Sequence, residues 1–389
     1  MSGFCSLFSQ MLKLIARTEF ARLVKDTQSE RHARGFSSWS HLVAMLFCHL
    51  GRANSLREIE QGLASCEGKL NHLGAGAVGR STLAYANANR PWQLFEAVFH
   101  GLYHRLAGQL PPGGRAFRFK NKLMSIDSTV IDLSLKLYDW AQFRRAKGAV
   151  KLHLVLDHDG YLPSFMVLTD GRRHDVKVAH EFAFEPGTIV VMDRGYTDYL
   201  LFGRWCAQGV FFVTRPKRPM ACSVVEQRPV SGAGVLKDEI IRVDRYYEAR
   251  RDCPYPLRRI EYRCPDTGKH LVFLTNHLKL AARTVADVYR SRWQIELFFK
   301  ALKQNLKIKT FVGTSANAVK IQAFSALIAI MMLRFLQLRS RFGWSLSNLV
   351  ALLRMNLFTH RDLWAWLNNP FGDAPPAQPT QTSFAFQLA

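Results

Sequence analysis

Negative charge is scarce in this 389-residue chain: 30 Asp and Glu stand against 53 Lys and Arg, leaving a net charge of +23 and a pI near 10. That balance favours a polyanionic partner, nucleic acid before a membrane surface. The basic residues are spread along the sequence, which excludes a lone basic arm as their explanation. Paired cysteines are also missing. The seven present, at 5, 48, 66, 206, 222, 253 and 264, form no CxxC and no zinc spacing, which argues against a disulfide scaffold and for a reducing compartment. No stretch reads as a membrane span. The opening "MSGFCSLFSQMLKLIARTEF" is interrupted by Ser, Gln and Lys, and the most apolar run, "FSALIAIMMLRFL", is broken by Arg334 short of the roughly 20 residues a span requires. A buried core helix accounts for it.

What is present is enough apolar residue, 48%, to build two or three folded units in a chain too long for one ordinary core. Residues 1 to about 110 carry helical periodicity in "FSQMLKLIARTEFARLV", "SWSHLVAMLFCHL" and "PWQLFEAVFHGLYHRL". Ser55 and Glu58 form a capping-box pattern that starts a short helix, and a second short helix is read to follow "GRSTLAYANANR". The pair could make a helix-turn-helix, a spacing that is also common in helical bundles. After the basic Pro/Gly connector "LPPGGRAFRFKNK" the texture turns to strands: "LMSIDSTVIDL", "VKLHLVLD" and "YLPSFMVLTD", the last two joined by an "HDG" turn. A helix at "DVKVAHEFA", a strand at "TIVVMD", a helix at "TDYLLFGRWCAQ" and a strand at "GVFFVTR" follow. Three strands and then alternating helices and strands is the order of a ribonuclease H-like mixed sheet, an α/β fold with helices on both faces.

From 216 to 275 short strand-like pieces with Pro, Gly and Asp between them predict a β-rich insertion. The expected layout is a helical N-terminal unit at 1–115, a catalytic unit at 116–215 and 276–345, the insertion at 216–275, a helical segment at 346–370, and a disordered Pro- and Gln-rich tail at 371–389.

Acidic ligands for two divalent ions must converge from different elements, because ions about 3.5–4 Å apart share carboxylates. Asp127 lies mid-strand in "MSIDSTV", and Asp193 ends "IVVMD" at the carboxyl edge of its strand. Glu296 lies in "VYRSRWQIELFFKALK", read as one amphipathic helix. At about 100° per residue, Tyr289, Arg292, Glu296 and Lys303 fall within roughly 60° of each other on that helix, beside the apolar face of Ile295, Phe298, Phe299 and Leu302. Each carboxylate taken alone has a structural alternative, and Asp132, Asp157, Asp159, Asp170, Asp175 and Asp198 are read mostly as turn, cap or surface groups.

Tyr289, Arg292, Glu296 and Lys303, spaced Tyr-x2-Arg-x3-Glu-x6-Lys, resemble the signature of the DDE transposases of bacterial insertion sequences in the IS-four group. "SIDSTVIDL" and "VVMDRGYTDY" are similar to that family's two aspartate segments, and the likeness spans roughly residues 4 to 340. The resemblance implies Asp127, Asp193 and Glu296 as catalytic, metal-holding residues, and Arg292, Lys303 and Tyr289 as DNA contacts. It also implies two Mg²⁺ ions with Mn²⁺ as a substitute, double-stranded DNA partners at element ends and target, a homodimer in the DNA complex, no membrane, and a cytoplasmic, nucleoid-associated location. Cleavage and strand transfer at terminal inverted repeats is the activity expected. A structure-selective nuclease of the same fold and a catalytically silent DNA-binding descendant are the alternatives. In studied relatives the insertion carries a tryptophan that holds a flipped base; here it contains none, Trp205 preceding it and Trp293 following.

Overall fold

The computed structural model describes residues 5–31, 33–66, 68, 70–110, 117–133, 142–144, 147–217, 220–244, 253–306 and 311–372. Six helices come first: α1 (Leu7–Leu12), α2 (Arg17–Asp26), α3 (Ser38–Leu50), α4 (Leu56–Ala64), α5 (Arg80–Asn89) and α6 (Gln93–Ala107). The capping box at α4 forms as its residues dictate, the Ser55 hydroxyl accepting from Glu58 N at 3.1 Å while Glu58 Oε2 accepts from Asn54 N at 2.9 Å. The second short helix lies within "GRSTLAYANANR", not after it, and residues 65–79 separate it from α4. That interval is longer than the few-residue turn of a helix-turn-helix.

The strands are β1 (Leu123–Leu133), β2 (Gln142–Arg144), β3 (Lys147–Asp157), β4 (Leu162–Asp170), β5 (Ile189–Met192), β6 (Phe211–Thr214), β7 (Cys222–Gln227), β8 (Val235–Val243), β9 (Leu257–Arg263) and β10 (His270–Thr275). They build one ten-stranded mixed sheet in the order β2-β3-β1-β5-β6-β10-β9-β8-β7, with β4 also paired to β3. β1 runs antiparallel to β3 and parallel to β5, and β5 is parallel to β6. The strands carrying Asp127 and Asp193 are therefore neighbours. Strands β7–β10 do not stand apart from this sheet: β10 pairs antiparallel with β6, Leu274 opposite Thr214, so these strands extend it.

Both faces of the sheet centre are covered, which explains why β5 is apolar at every position. Ile189 and Val191 face one core with helix α9 (Ala282–Ser291); Val190 and Met192 face the other with α7 (Asp175–Ala179) and α8 (Tyr199–Ala207). Each such side chain contributes about 1.5–3 kcal/mol by burial. A third core joins the N-terminal helices to β3, β4 and the later helices α10 (Trp293–Asn305), α11 (Ala316–Arg339), α12 (Leu346–Asn356) and α13 (Leu363–Asn368).

The centre of that core is α11. Contrary to the sequence reading, Arg334 does not break it: the helix runs 24 residues and is long and apolar enough by composition to cross a membrane, but 89% of its most apolar stretch is buried inside the protein. Arg334 is accommodated because its Nε donates to Gly160 O at 3.1 Å and its Nη1 to Gln337 Oε1 at 2.6 Å. The chain ends are tied together in the same layer, Leu7 N donating to Thr359 O at 3.0 Å and Phe8 N to Leu357 O at 2.9 Å. All seven cysteines are free thiols. The tail beyond 372, expected to be disordered, lies outside the described residues.

Two buried polar features make stability predictions. Arg258, 2% exposed, forms a two-bond fork with Asp238 at 2.7 and 2.6 Å between β9 and β8, and its Nη1 donates to the Leu280 carbonyl ahead of α9 at 2.5 Å. Asp238→Ala leaves that guanidinium buried without its anion and should lower the unfolding free energy in urea by about 3–5 kcal/mol, whereas Glu19→Ala, which breaks the half-exposed pair with Arg105, should cost about 1 kcal/mol or less. His41 and His49 are wholly buried, and desolvation pushes both down to about 4. Between pH 6.5 and 4 the unfolded chain binds protons that the folded chain refuses, so stability present above pH 6.5 is lost as pH falls, on the order of 3 kcal/mol per histidine. Urea titrations across that window should show the loss, with a shallower slope in His41→Leu.

Candidate active site

The register of β1 and β5 sets the site. Ile126 is opposite Met192, so Asp127 and Asp193 are the next residues of two adjacent parallel strands. Asp127 accepts from Ser128 N at 2.8 Å, and Asp193 N-caps a short 3₁₀ turn, accepting from Gly195 N at 3.5 Å. α10 lies along β1 and brings the striped residues to it. The stripe is not on one continuous helix. α9 ends at Ser291 and α10 begins at Trp293, with Arg292 between them. Arg292 N bonds back to Tyr289 O and Ile295 N to Arg292 O, three-residue spacings that tighten the chain, and the Ser291 hydroxyl takes the Val288 carbonyl at 2.7 Å.

Despite the break, the four side chains face the same strands. Arg292 Nη1 donates to Asp127 Oδ2 at 3.2 Å and its Nη2 to Glu296 Oε1 at 2.7 Å, so one guanidinium bridges two of the predicted carboxylates. Tyr289 Oη donates to Asp193 Oδ1 at 3.4 Å. Lys303 Nζ donates to Thr129 Oγ1 at 2.5 Å and to Val130 O at 3.1 Å on β1. Asp127, Glu296 and Lys303, with Ser128, Phe299 and Lys300, line a cleft of about 480 Å³ between β1 and α10. Asp193 is reached beside it, through Tyr289. Trp293, next to Arg292, is 55% exposed and is not a core residue.

The electrostatics are those of crowded anions. Burial is the largest influence pushing the Asp127 carboxyl up to about 6; Ser128 N–H and Arg292 oppose it, while Glu296 and Asp193 add to it. For Arg292 the bond to Glu296 and the charge of Asp127 outweigh burial, so its guanidinium is held more firmly protonated. Burial keeps the Tyr289 phenol neutral and able to donate. Among the described residues no three His, Cys, Asp or Glu side chains stand close enough to hold a metal ion as they are placed. The donor set itself fits a hard divalent cation, being carboxylate oxygens at a partly desolvated, mutually repelling site. Arg292 supplies the compensating charge.

One residue of this cluster was assigned a structural part in the sequence reading. Asp175, at the start of α7, accepts from the Ser128 hydroxyl at 2.6 Å, pairs with Lys151 Nζ at 3.3 Å and stands 3.4 Å from His153 Nδ1. It is bonded to the residue that follows Asp127 on β1. Only the three-dimensional course of β3 and β4 brings it there, although "HD" after a strand is a visible signal. Asp198 does cap its helix as expected, and Asp157 is instead buried, accepting from Tyr103 Oη at 2.6 Å.

The site thus combines carboxylates at the ends of paired strands with cationic side chains across the cleft, on a chain of net charge +23. Residues 118–332 match the family model described as the transposase DDE domain, and residues 5–76 match a domain of unknown function. The chain is 36% identical over 320 residues to a protein of Sinorhizobium fredii named as a transposase, covering 79% of this chain and 86% of that one. It is 30% identical over 226 residues to a Geobacillus stearothermophilus protein named as a transposase for an insertion sequence element, covering 57% and 58%. A Synechocystis protein, also named for an insertion sequence element, is 24% identical over 261 residues, 66% and 72% of the two chains. This chain belongs to the DDE transposases of insertion sequences, enzymes of DNA cleavage and strand transfer.

The acceptor shared by Ser128 and Lys151 makes a prediction. Asp175→Ala strips the Ser128 hydroxyl and Lys151 of a partner and should lower stability in urea by about 1–3 kcal/mol; Asp175→Asn, which keeps an acceptor for Ser128, should recover much of that.

Proposed function

We propose that Asp127, Asp193 and Glu296 are the acidic triad of a ribonuclease H-like catalytic core, and that the chain cuts and rejoins DNA at the terminal inverted repeats of its element. The observation that carries this reading is the Arg292 bridge, in which a guanidinium 165 residues away from Asp127 of β1 ties that carboxylate to Glu296 on α10. The Tyr-x2-Arg-x3-Glu-x6-Lys spacing supports placement in the IS-four group.

The chemistry follows from the groups around the cleft. Water attacks the scissile phosphorus in line, a P–O bond breaks, and the strand leaves with a free 3′-OH; that hydroxyl then attacks a target phosphodiester, displacing its oxygen. Arg292 and Lys303 neutralise the non-bridging oxygens, the first as a fork and the second as a point charge. The neutral Tyr289 phenol donates to the backbone beside the cut. Asp127, Asp193 and Glu296 would hold divalent cations, two Mg²⁺ or Mn²⁺, which when bound supply Lewis acidity and lower the pKa of a coordinated water.

In this reading residues 1–115 bind the element end, 116–215 and 276–345 make the catalytic unit, 216–275 form the β-rich insertion, and 346–370 a C-terminal helical segment. A homodimer holds two ends, and the enzyme works on the bacterial nucleoid in the cytoplasm, away from membranes. The test is a labelled duplex bearing the element's own end, incubated with Mg²⁺ or EDTA. Wild type should nick and join only with Mg²⁺; Glu296→Gln should bind the duplex within about threefold of wild type and lose cleavage by a factor of about 10³ or more. A Glu296→Gln protein that cuts as wild type does would refute the triad.

A further inference from the structure

Side chains alternate between the two faces of a strand, and β1 uses both. Asp127, Thr129 and Ile131 point to the α10 side: Thr129 takes the Lys303 ammonium, and Ile131 shares a core with Phe299 and Leu302. Met124, Ile126 and Ser128 point to the other side, where Met124 and Ile126 pack with Val178 and Ala179 of α7 and with Tyr196. On that side the Ser128 hydroxyl donates to Asp175 Oδ1 at 2.6 Å, while the Ser128 N–H donates to Asp127 Oδ1 at 2.8 Å. Ser128 thus ties the carboxylate in the cleft to a carboxylate on the far side of the sheet.

Asp175 is itself held in place. Lys151 Nζ stands 3.3 Å from its Oδ1 and also donates to the Arg173 carbonyl at 3.3 Å, and the wholly buried His153 lies 3.4 Å away at Nδ1. Both residues come from β3, the antiparallel partner of β1, where His153 is opposite Ser128. α7, which Asp175 begins, packs against β1 and against the 3₁₀ turn Arg194–Tyr196 that Asp193 caps. Tyr196 is 2% exposed in the same core, and its buried hydroxyl has no hydrogen-bond partner of good geometry among the described residues. Burial, and after it the charge of Asp175, keep that phenol neutral. The segments that carry Asp127 and Asp193 therefore meet at Asp175.

We propose that Asp175 is a positioning residue of the cleavage reaction: bonded to Ser128 on the face away from the cleft, it fixes the end of β1 against the turn that follows β5, and so sets how closely Asp127 and Asp193 approach one another. The inference rests on the reading of Asp127, Asp193 and Glu296 as the triad and adds what fixes its spacing. Two divalent ions about 3.5–4 Å apart tolerate little error in the carboxylates they share. Side chains that hold such ions need support to within about 0.5 Å, and that support comes from the residues bonded behind them. Asp175 touches neither substrate nor reacting atoms in this role; it acts through the Ser128 hydroxyl.

The experiment follows Mn²⁺ uptake by the full-length protein on a duplex copied from its element's end, read from the paramagnetic resonance signal of the free ion, beside Mg²⁺-dependent nicking of the same duplex. Asp175→Ala and Ser128→Ala should each raise the half-saturating Mn²⁺ about tenfold and slow nicking by about 10², with duplex binding within about threefold of wild type. The double variant should be no worse than either single one, because both remove the same bond. Asp175→Asn, which keeps an acceptor for Ser128, should regain at least about tenfold of the lost rate. Variants that melt earlier but take up Mn²⁺ and nick as wild type does overturn the proposal and leave the triad standing. Loss of Mn²⁺ in Asp175→Ala with wild-type uptake in Ser128→Ala makes Asp175 a ligand and also overturns it. Should Asp175→Ala fail to fold, Ser128→Ala carries the test, and wild-type uptake and nicking in it overturn the proposal. A wild type that neither takes up Mn²⁺ nor nicks overturns the triad reading and this proposal with it.

Discussion

Carboxylates that converge at the end of a covered sheet repel one another and lose hydration, and something positive has to stand between them. Here it is the Arg292 guanidinium, bonded to Asp127 on one side and Glu296 on the other. The cost of that crowding is visible in Asp127, whose carboxyl burial lifts to about 6. Much of the surrounding architecture keeps this arrangement from relaxing. β1 is clamped between β3 and β5, so Asp127 cannot slide along the edge; Ser128, held by Asp175, fixes the backbone just beyond it. Arg292 sits where α9 stops and α10 starts.

The strands that carry the site were legible because their side-chain pattern has only two periods to choose from. "MSIDSTV" alternates and "IVVM" does not, and the structure gives the first strand neighbours on both edges and buries the second on both faces. The side-by-side placement of Asp127 and Asp193 followed from strand order. Three things could not be read along the chain. The stripe of four polar residues was read as one helix, since spacing reports which residues share a side and is blind to a local change from four-residue to three-residue bonding. Arg334 looked like a terminator, but its charge is met by Gly160 and Gln337, a carbonyl and an amide contributed by a distant turn and the next helical turn. Asp175 stood among the aspartates read mostly as turn, cap or surface groups, and only the course of β3 and β4 brings it beside Ser128.

The β-rich stretch shows the same limit at larger scale. Its composition predicts strands, and strands form, yet composition says nothing about which edge they join. Pairing of β10 with β6 makes it a continuation of the catalytic sheet, and the Arg258–Asp238 fork, reaching the carbonyls ahead of α9, links that continuation to the helix that leads into Arg292.

The far end of α10 is governed by the N-terminal and C-terminal helices. A helix leaves its last carbonyls without intrahelical donors, and the C-terminal end carries partial negative charge. In α10 side chains from elsewhere meet these groups, two of them cationic: Arg52 Nη2 donates to Gln304 O at 2.6 Å, Arg354 Nη2 reaches Asn305 O at 3.5 Å, and the neutral His49 has Nδ1 3.3 Å from Leu306 O. His49 also contacts Gln322 O and Ser325 Oγ of α11, at 3.1 and 3.0 Å. Because a helix transmits displacement along its axis, the height of Glu296 and Lys303 over β1 is set by residues at 49, 52 and 354 as well as by the local contact with the sheet. α3, α6, α10 and α11 share one core, so the N-terminal helices pack with the helix that bears Glu296. The elements ahead of the sheet and the helix bearing Glu296 are in this way parts of one packed core, so the position of Glu296 over β1 depends on residues far from it in sequence.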